Sequence, residues 1–244
     1  LTPTGGMYNE ARCWSITTHP KRPGELLAGT DQGLYRWTKD SNRFNYIPSP
    51  MDSLQILHIE QAPDDPNFIV CGTRPGEIFI SEDNGLSWTR SNLDSSTECW
   101  FINTPRVTSV HFDPLDYNTI WLTIEIDGIF RSQDRGKTWQ VLNDGLMDSD
   151  THDLVFVDDD NVYWLGLREI GIDLIYPRQN PFNNISYIPY KPNSIINSYI
   201  RSIYYEADGT AWFGTENGIS KLSAKGNWTN YNSNPRLSNK AVLT

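Results

Sequence analysis

Four carboxylate side chains of this 244-residue chain could take part in catalysis: Glu125, Asp127, Asp150 and Glu169. Two carboxyl groups that flank a glycosidic bond can hydrolyse it, because one protonates the leaving oxygen while the other activates a water molecule. The sequence contains 30 acidic residues, so such pairs also arise by chance. Glu125 and Glu169 are therefore retained as catalytic candidates, but no residue is assigned a catalytic role.

Among the four histidines, His152 has the strongest polar context. It lies in the polar run 148–153, at the start of an apolar run, whereas His19, His58 and His111 lie in or at the ends of apolar runs and are interpreted as structural. No serine–histidine–aspartate order, phosphate-binding loop or zinc-type histidine motif is present. His152 therefore joins the catalytic candidates, and the sequence predicts no metal site and no cofactor.

Two octapeptides share the pattern Ser-x-Asp-x-Gly-x-Ser/Thr-Trp, at 81–88 and 132–139. The aspartate can accept hydrogen bonds from backbone N–H groups two residues on, and the glycine supplies the positive φ of a tight turn. Each tryptophan opens the next strand and can fold over its own hairpin. The pattern predicts a structural role for Ser81, Asp83, Gly85, Trp88, Ser132, Asp134, Gly136 and Trp139.

The strands that must position the candidate residues recur with a period of roughly 45 residues, which is typical of propeller blades. Each unit has an apolar strand, a polar turn, a second strand that usually ends in Gly or Gly-Thr, a loop, a third strand and a fourth. No segment has a helical period. We therefore expect an all-β fold, a single β-propeller of four-stranded antiparallel blades over residues 1–244, with blades at approximately 12–50, 55–95, 106–145, 153–190 and 199–232.

Both ends of the chain carry short strand-like segments. Residues 1–4 are compatible with an outermost strand, and residues 241–244 with the innermost strand of a sixth unit. The ring either closes with five blades or is part of a larger propeller, and both interpretations stay open.

The innermost strands of a propeller begin near its central channel, where ligands commonly bind. Arg12, Arg106 and His152 precede or begin the first strands of three units, and Glu125 and Glu169 follow second strands. These five residues are predicted to bind a ligand at the channel face. The alternative, in which they are solvated or form a network of ion pairs, stays open.

The octapeptides resemble the Asp-box, or BNR repeat. Residues 12–150 resemble bacterial Asp-box proteins that are described as sialidase-like or glycosyl-hydrolase-like, in which the Asp-boxes lie away from the active site. The arginine-bearing F/Y-R-I-P motif of sialidases is absent. The xyloglucanases of the Asp-box class are built from two much larger propellers. The resemblance therefore implies the fold more strongly than it implies an activity.

A second resemblance covers residues 154–240. The segments 200–203, 208–219 and 228–231 resemble the two-component regulator propeller repeat, which builds periplasmic sensor regions of histidine kinases. This resemblance also implies a propeller, and it implies a location outside the cytoplasm. The change of repeat type near residue 150 is compatible with natural recombination of blades or with an engineered chimera.

Charge and composition restrict the partners. The net charge is −10 and no basic stripe is present, which argues against a nucleic-acid partner and against docking on anionic membranes. No apolar run is long enough for a transmembrane helix, so membrane insertion is not expected. Cys13, Cys71 and Cys99 match no zinc motif, and Cys13 and Cys71 are expected to be buried within strands.

These observations predict a non-catalytic binding or scaffold propeller that presents loops at the channel face to a glycan or protein partner, in an extracellular or periplasmic location. One alternative is a glycan-active hydrolase of the Asp-box class with paired carboxylates at the channel mouth. A second alternative is a fragment of a periplasmic sensor. The ligand and the oligomeric state are left open by the sequence.

Overall fold

The computed structural model describes residues 5–8, 10–100, 102–157, 162–175 and 183–231. Within these residues, twenty strands form five four-stranded antiparallel sheets, and no helix is present. The predicted all-β fold of five four-stranded propeller blades is therefore confirmed. The strands predicted for residues 1–4 and 241–244 lie outside the described residues.

Each sheet contains four consecutive strands in chain order, with each strand beside the next. The first sheet contains β1 (Cys13–Thr17), β2 (Glu25–Thr30), β3 (Gly33–Thr38) and β4 (Arg43–Ile47); the second β5 (Gln55–Ala62), β6 (Asp65–Arg74), β7 (Ile78–Ser81) and β8 (Thr89–Arg90); the third β9 (Val107–Asp113), β10 (Asp116–Ile124), β11 (Gly128–Ser132) and β12 (Gln140–Val141); the fourth β13 (Thr151–Val157), β14 (Val162–Leu167), β15 (Ile172–Ile175) and β16 (Asn183–Ile185); and the fifth β17 (Ile200–Tyr205), β18 (Ala211–Thr215), β19 (Gly218–Leu222) and β20 (Trp228–Tyr231).

The chain forms two compact units. Unit 1 consists of Leu1–Ile124 and Phe130–Val141, and unit 2 consists of Glu125–Ile129 and Leu142–Thr244. No helix capable of spanning a membrane occurs in the described part of either unit.

The core of unit 1 lies between stacked sheets. In β6, Ile69 packs in a cluster with Leu34 and Ile56, and its neighbour Val70 packs in a different cluster with Val110. Successive side chains of a strand point to opposite faces, so one strand supplies both clusters. This is why the inner strands are apolar almost without interruption.

The octapeptide turns depend on serine and aspartate together. The Ser81 hydroxyl accepts hydrogen bonds from the backbone N–H groups of Asp83 (3.3 Å) and Gly85 (2.7 Å). The Asp83 carboxylate accepts bonds from the Ser87 hydroxyl (2.6 Å) and backbone N–H (2.8 Å). These bonds lower the pKa of Asp83 to about 2. The predicted aspartate bond two residues on is therefore wrong, because serine occupies that N–H group and the carboxylate reaches across the wider turn.

The octapeptides also connect neighbouring sheets within unit 1. Gly136 has a φ of 81°, and a Cβ atom there would lie 2.4 Å from Ile80 in the preceding sheet and 3.5 Å from the Trp139 ring. The Trp139 indole N–H donates to the Ser91 hydroxyl at 2.8 Å. Trp139 thus folds over its own turn and holds the preceding blade, although β12 begins one residue after it.

The core of unit 2 lies between the fourth and fifth sheets. Ile203 and Phe213 of the fifth sheet pack with Val155 and Trp164 of the fourth, and the Trp164 and Phe213 rings stack at 5.6 Å. The Asp153 carboxylate accepts a hydrogen bond from the Ile203 backbone N–H at 2.8 Å. A polar contact therefore adds to the apolar packing of these two blades.

The cysteines differ in exposure. Cys71 is buried as expected, whereas Cys13 is exposed, which corrects the expectation for that residue. The expectation assumed that both faces of an inner strand are covered. In β1 the hydroxyl of Ser15 contacts the Ile56 carbonyl of the next sheet, while Cys13, Trp14 and Ile16 are exposed.

Candidate functional site

The structure divides the five predicted ligand-binding residues between the two units. Glu125, His152 and Glu169 belong to unit 2, and Arg12 and Arg106 belong to unit 1. Glu125 and His152 lie close together, whereas the side chain of Glu169 is 70% exposed. Arg12 has a local role as well, since its backbone N–H donates to the Asp31 carboxylate at 2.8 Å. The ligand-binding role of all five remains a prediction.

An irregularity in strand pairing positions His152. Thr151 pairs with Leu167 and Asp153 pairs with Gly166, so His152 is an extra residue in β13. An extra residue of this kind forms a β-bulge, which redirects the side chain. In β17 the same irregularity makes Arg201 the extra residue, between Ile200 and Ser202. The two bulges therefore present His152 and Arg201 at equivalent positions of neighbouring blades.

Three buried side chains form the centre of the site. Glu125, Asp150 and His152 are 8%, 6% and 7% exposed, and their potential ligand atoms all lie within 4.8 Å of one another. Asp150 is held by Arg168, whose Nη1 lies 3.0 Å from Asp150 Oδ2 and whose backbone N–H donates to the Asp150 carbonyl. The hydrogen bond to Asp150 raises the pKa of Arg168 above its ordinary value. Arg168 is therefore a fixed cation.

Partly exposed side chains surround this centre, and we call Arg168, Tyr199, Arg201 and Glu216 the rim. The guanidinium groups of Arg168 and Arg201 lie 5.6 Å and 4.4 Å from the centre of the Tyr199 ring. Arg201 Nε donates to Glu216 at 2.6 Å. The rim thus joins an aromatic ring, two cations and a carboxylate, with Arg168, Arg201 and Glu216 22–34% exposed.

The arrangement limits the chemistry that is available. The Asp150 carboxylate is already engaged by Arg168, whose Nη1 lies 3.0 Å from Oδ2, so it is not free to act on a substrate alone. Glu125 and Asp150 approach within 4.8 Å, which is below the carboxylate separation of about 6.5–9.5 Å in inverting glycosidases. One imidazole and two carboxylates are, however, ligands that a divalent transition metal accepts.

Sequence reasoning named Asp150 only as a possible catalytic carboxylate, and it did not place Arg168, Tyr199, Arg201 or Glu216 in the ligand site. The available signal was the internal repeat, because Arg201 occupies in the fifth blade the position that His152 occupies in the fourth. His19, His58 and His111 lie in unit 1, and the ring of His19 is bonded to the Ala62 carbonyl at 3.0 Å.

Comparison with known proteins identifies one segment of the chain as a known repeat. Residues 194–217 match the two-component regulator propeller family, so the resemblance of the C-terminal part to this repeat is confirmed for that segment. A protein named as a probable oligoxyloglucan-reducing end-specific xyloglucanase from Neosartorya fischeri is 28% identical over 151 residues. The match covers 56% of this chain and 18% of that enzyme.

Solved structures of low sequence identity share the fold. The GH74 xyloglucanase from Xanthomonas campestris has a TM-score of 0.68 and 14% identity, over 93% of this chain and 38% of that one. YCF48 bound to D1 peptide has a TM-score of 0.59 and 15% identity, over 89% and 71%. The extracellular domain of BT4673 from B. thetaiotaomicron has a TM-score of 0.51 and 15% identity, over 95% and 36%.

The chain thus spans less than two thirds of the xyloglucanases that it resembles. The fold and the repeats together establish a β-propeller repeat protein.

Proposed function

We propose that this chain is a non-catalytic glycan-binding propeller that works outside the cytoplasm. The observation that carries the proposal is the rim, where the Tyr199 ring lies 4.4–5.6 Å from two arginine guanidinium groups beside Glu216. An aromatic ring offers an apolar surface to a sugar ring, and the flanking charged groups bond its hydroxyls. The similarity to a xyloglucanase favours a glycan over other polar ligands.

Binding is favoured over hydrolysis by the state of the carboxylates. Asp150 is neutralised by Arg168 at 3.0 Å, and Glu216 is neutralised by Arg201. Carboxylates that are already bonded to guanidinium groups are less available as catalytic groups for a substrate. Glu125 and Glu169 are the remaining carboxylates of the predicted site, and they lie in opposite environments, one buried and one exposed.

The second candidate function is a glycan hydrolase. The approach of Glu125 and Asp150 within 4.8 Å favours it, because retaining glycosidases hold their two carboxyl groups about 5–5.5 Å apart. The xyloglucanase relative is consistent with the same activity. Glu125 would then be needed for turnover, whereas the binding proposal gives it no such role.

Calorimetric titration with xyloglucan oligosaccharides tests the proposal. We expect saturable binding that weakens by about tenfold or more in Arg201→Ala, since a charge-assisted hydrogen bond contributes about 1.5–3 kcal/mol. Lys225→Ala, an exposed cation of the same unit, is the matched control and should bind normally. Equal binding by both variants, or the absence of binding to any glycan of an array, would contradict the proposal.

A reducing-sugar assay on the same oligosaccharides separates the two functions. The binding proposal predicts no release of reducing ends by the wild type. Release that is abolished in Glu125→Gln and retained in Glu169→Gln would establish the hydrolase instead.

A further inference from the structure

The centre of the site has the composition of a metal site. Glu125, Asp150 and His152 are each more than nine-tenths buried, and each offers a ligand atom within 4.8 Å of the others. Imidazole nitrogen with carboxylate oxygen is a donor set for zinc and related divalent transition ions, whereas calcium and magnesium sites use oxygen alone. The donor types therefore select one class of cation.

The distance between Asp150 and His152 fits two ligands of one ion. Asp150 Oδ1 and His152 Nε2 are 3.5 Å apart, which is longer than the 2.7–3.2 Å of an N–H···O hydrogen bond. Two ligands at about 2.0–2.1 Å from a tetrahedral zinc ion are separated by about 3.3–3.5 Å. The pair therefore requires little movement to bind a common ion.

Contacts to the side chain and the backbone of Asp150 fix its carboxylate so that Oδ1 faces His152. Arg168 Nη1 bonds to Oδ2 at 3.0 Å, while Oδ1 is the oxygen nearest to the imidazole. The backbone fixes the residue too, because Asp150 accepts from Arg168 through its carbonyl and donates to the Asp148 carboxylate at 3.0 Å. Outer contacts that orient a ligand in this way are a regular part of metal sites.

The bulge in β13 explains why the His152 side chain reaches the two carboxylates. In a regular strand pair, His152 would have its own partner in β14. Here Thr151 pairs with Leu167 and Asp153 pairs with the adjacent Gly166, so His152 is the extra residue of the bulge. His152 is therefore turned toward Asp150 and Glu125, which follows β10 directly. Three protein ligands leave a fourth tetrahedral position for water or for an incoming group.

We propose that Glu125, Asp150 and His152 form a binding site for a divalent transition-metal ion of the zinc class. Such an ion reduces the repulsion between two buried carboxylates, in addition to the effect of Arg168. This inference does not rest on glycan binding, because the ligands lie beneath the rim and the ion is bound by the protein alone.

Titration of the metal-stripped protein with Zn²⁺ tests the proposal, with calorimetry for affinity and elemental analysis for stoichiometry. We expect one site per chain. Affinity should fall at least tenfold in Glu125→Gln and in His152→Gln. It should be unchanged in Asp208→Asn, which alters an exposed carboxylate of the same unit in the turn between β17 and β18. The absence of a saturable site, or equal affinity in all three variants, would overturn the proposal.

Cobalt provides a readout that does not depend on affinity. Co²⁺ in the site should give the visible absorption of a tetrahedral ion with a nitrogen ligand, and this absorption should change in folded His152→Gln. An unchanged spectrum in that variant would place the ion elsewhere and refute the proposal. Circular dichroism shows whether His152→Gln is folded. If it is not, the loss of affinity expected in Glu125→Gln, a substitution that preserves side-chain shape, is the result that decides.

The glycan titration, repeated with and without EDTA, separates this proposal from the proposed function. Zinc binding without glycan binding would leave the metal site standing and remove the glycan function. Glycan binding without any saturable zinc site would do the reverse.

Discussion

A pair of histidines in unit 1 makes the stability of that unit sensitive to acid. His58 in β5 and His111 in β9 meet edge to face, with ring centres 5.3 Å apart. Desolvation lowers the pKa of His58 to about 4, against an opposing hydrogen bond with the Val110 backbone. Desolvation and then the proximity of His58 lower the pKa of His111 to about 3. Both rings are therefore neutral in the folded protein well below pH 6.

The loss of stability follows from the difference between the folded and unfolded pKa values. In the unfolded chain each histidine titrates near pH 6.5, so at pH 5 the unfolded state binds protons that the folded state does not. The stabilising contribution is complete above pH 6.5, and it is lost as the pH falls toward 4 for His58 and 3 for His111. At pH 5 the loss is about 2 kcal/mol for each histidine, since one pKa unit corresponds to about 1.36 kcal/mol.

His111→Phe removes one titrating ring and keeps an aromatic partner for His58. We expect the variant to gain about 2 kcal/mol in stability relative to the wild type between pH 7.5 and pH 5, because it lacks one of the two rings whose protonation favours the unfolded chain. Urea unfolding read by pulsed hydrogen exchange provides the measurement, because peptides from β5 and β9 report on unit 1. The difference between variant and wild type is the relevant quantity, since other groups titrate in the same range.

His111→Leu is the control for ring shape. It should show the same pH dependence as His111→Phe, even if its stability at pH 7.5 is lower. If the difference from wild type does not change with pH in either variant, the His111 ring is already solvated or protonated in the folded state, and the desolvation argument fails.

Three further substitutions test the packing. Glu60→Gln should stabilise unit 1 by about 2 kcal/mol more at pH 7 than at pH 5. Desolvation raises the pKa of Glu60 to about 8, so the stabilising contribution of the protonated Glu60 is lost as the pH rises. A difference in urea midpoint that does not depend on pH would contradict this. Ser132→Ala should cost about 1–3 kcal/mol by leaving the buried Gly136 N–H without its acceptor, whereas Ser132→Thr keeps the hydroxyl as a control. Asp153→Ala should cost about 1–3 kcal/mol in unit 2 through the Ile203 N–H, and an unchanged thermal midpoint would show that this bond is dispensable.

The fold was predictable because its signals are local and repeated. The apolar run of β6, the turn chemistry of the octapeptides and the glycines that end second strands each specify one element without reference to the others. Their spacing then identifies the blade. Cys13 was mispredicted for the converse reason, because its exposure depends on what covers one face of β1, and the strand pattern contains no information on that cover.

The candidate site was only partly predictable because it depends on register. Glu125 and His152 were recognised from their positions at strand ends, but Arg168 was not recognised as the partner of Asp150. That contact forms because β13 and β14 are paired so that the residues just before and just after the strands meet. Pairing of this kind is set between strands, and no window of sequence around Asp150 specifies it.

The repeated bulge explains how a structural repeat can produce a site. All five first strands have one extra residue near their start, and these residues are Trp14, Leu57, Thr108, His152 and Arg201. Because a bulge redirects its side chain without changing the rest of the sheet, this position can vary in chemistry while the blade is conserved in shape. In unit 2 this position holds His152 and Arg201. The centre of the His152 ring lies 5.8 Å from the centre of the Tyr199 ring, and the Arg201 guanidinium lies 4.4 Å from it. Exchanging His152 or Arg201 should therefore alter ligand or metal binding with little effect on the fold, whereas the octapeptide residues should affect stability alone.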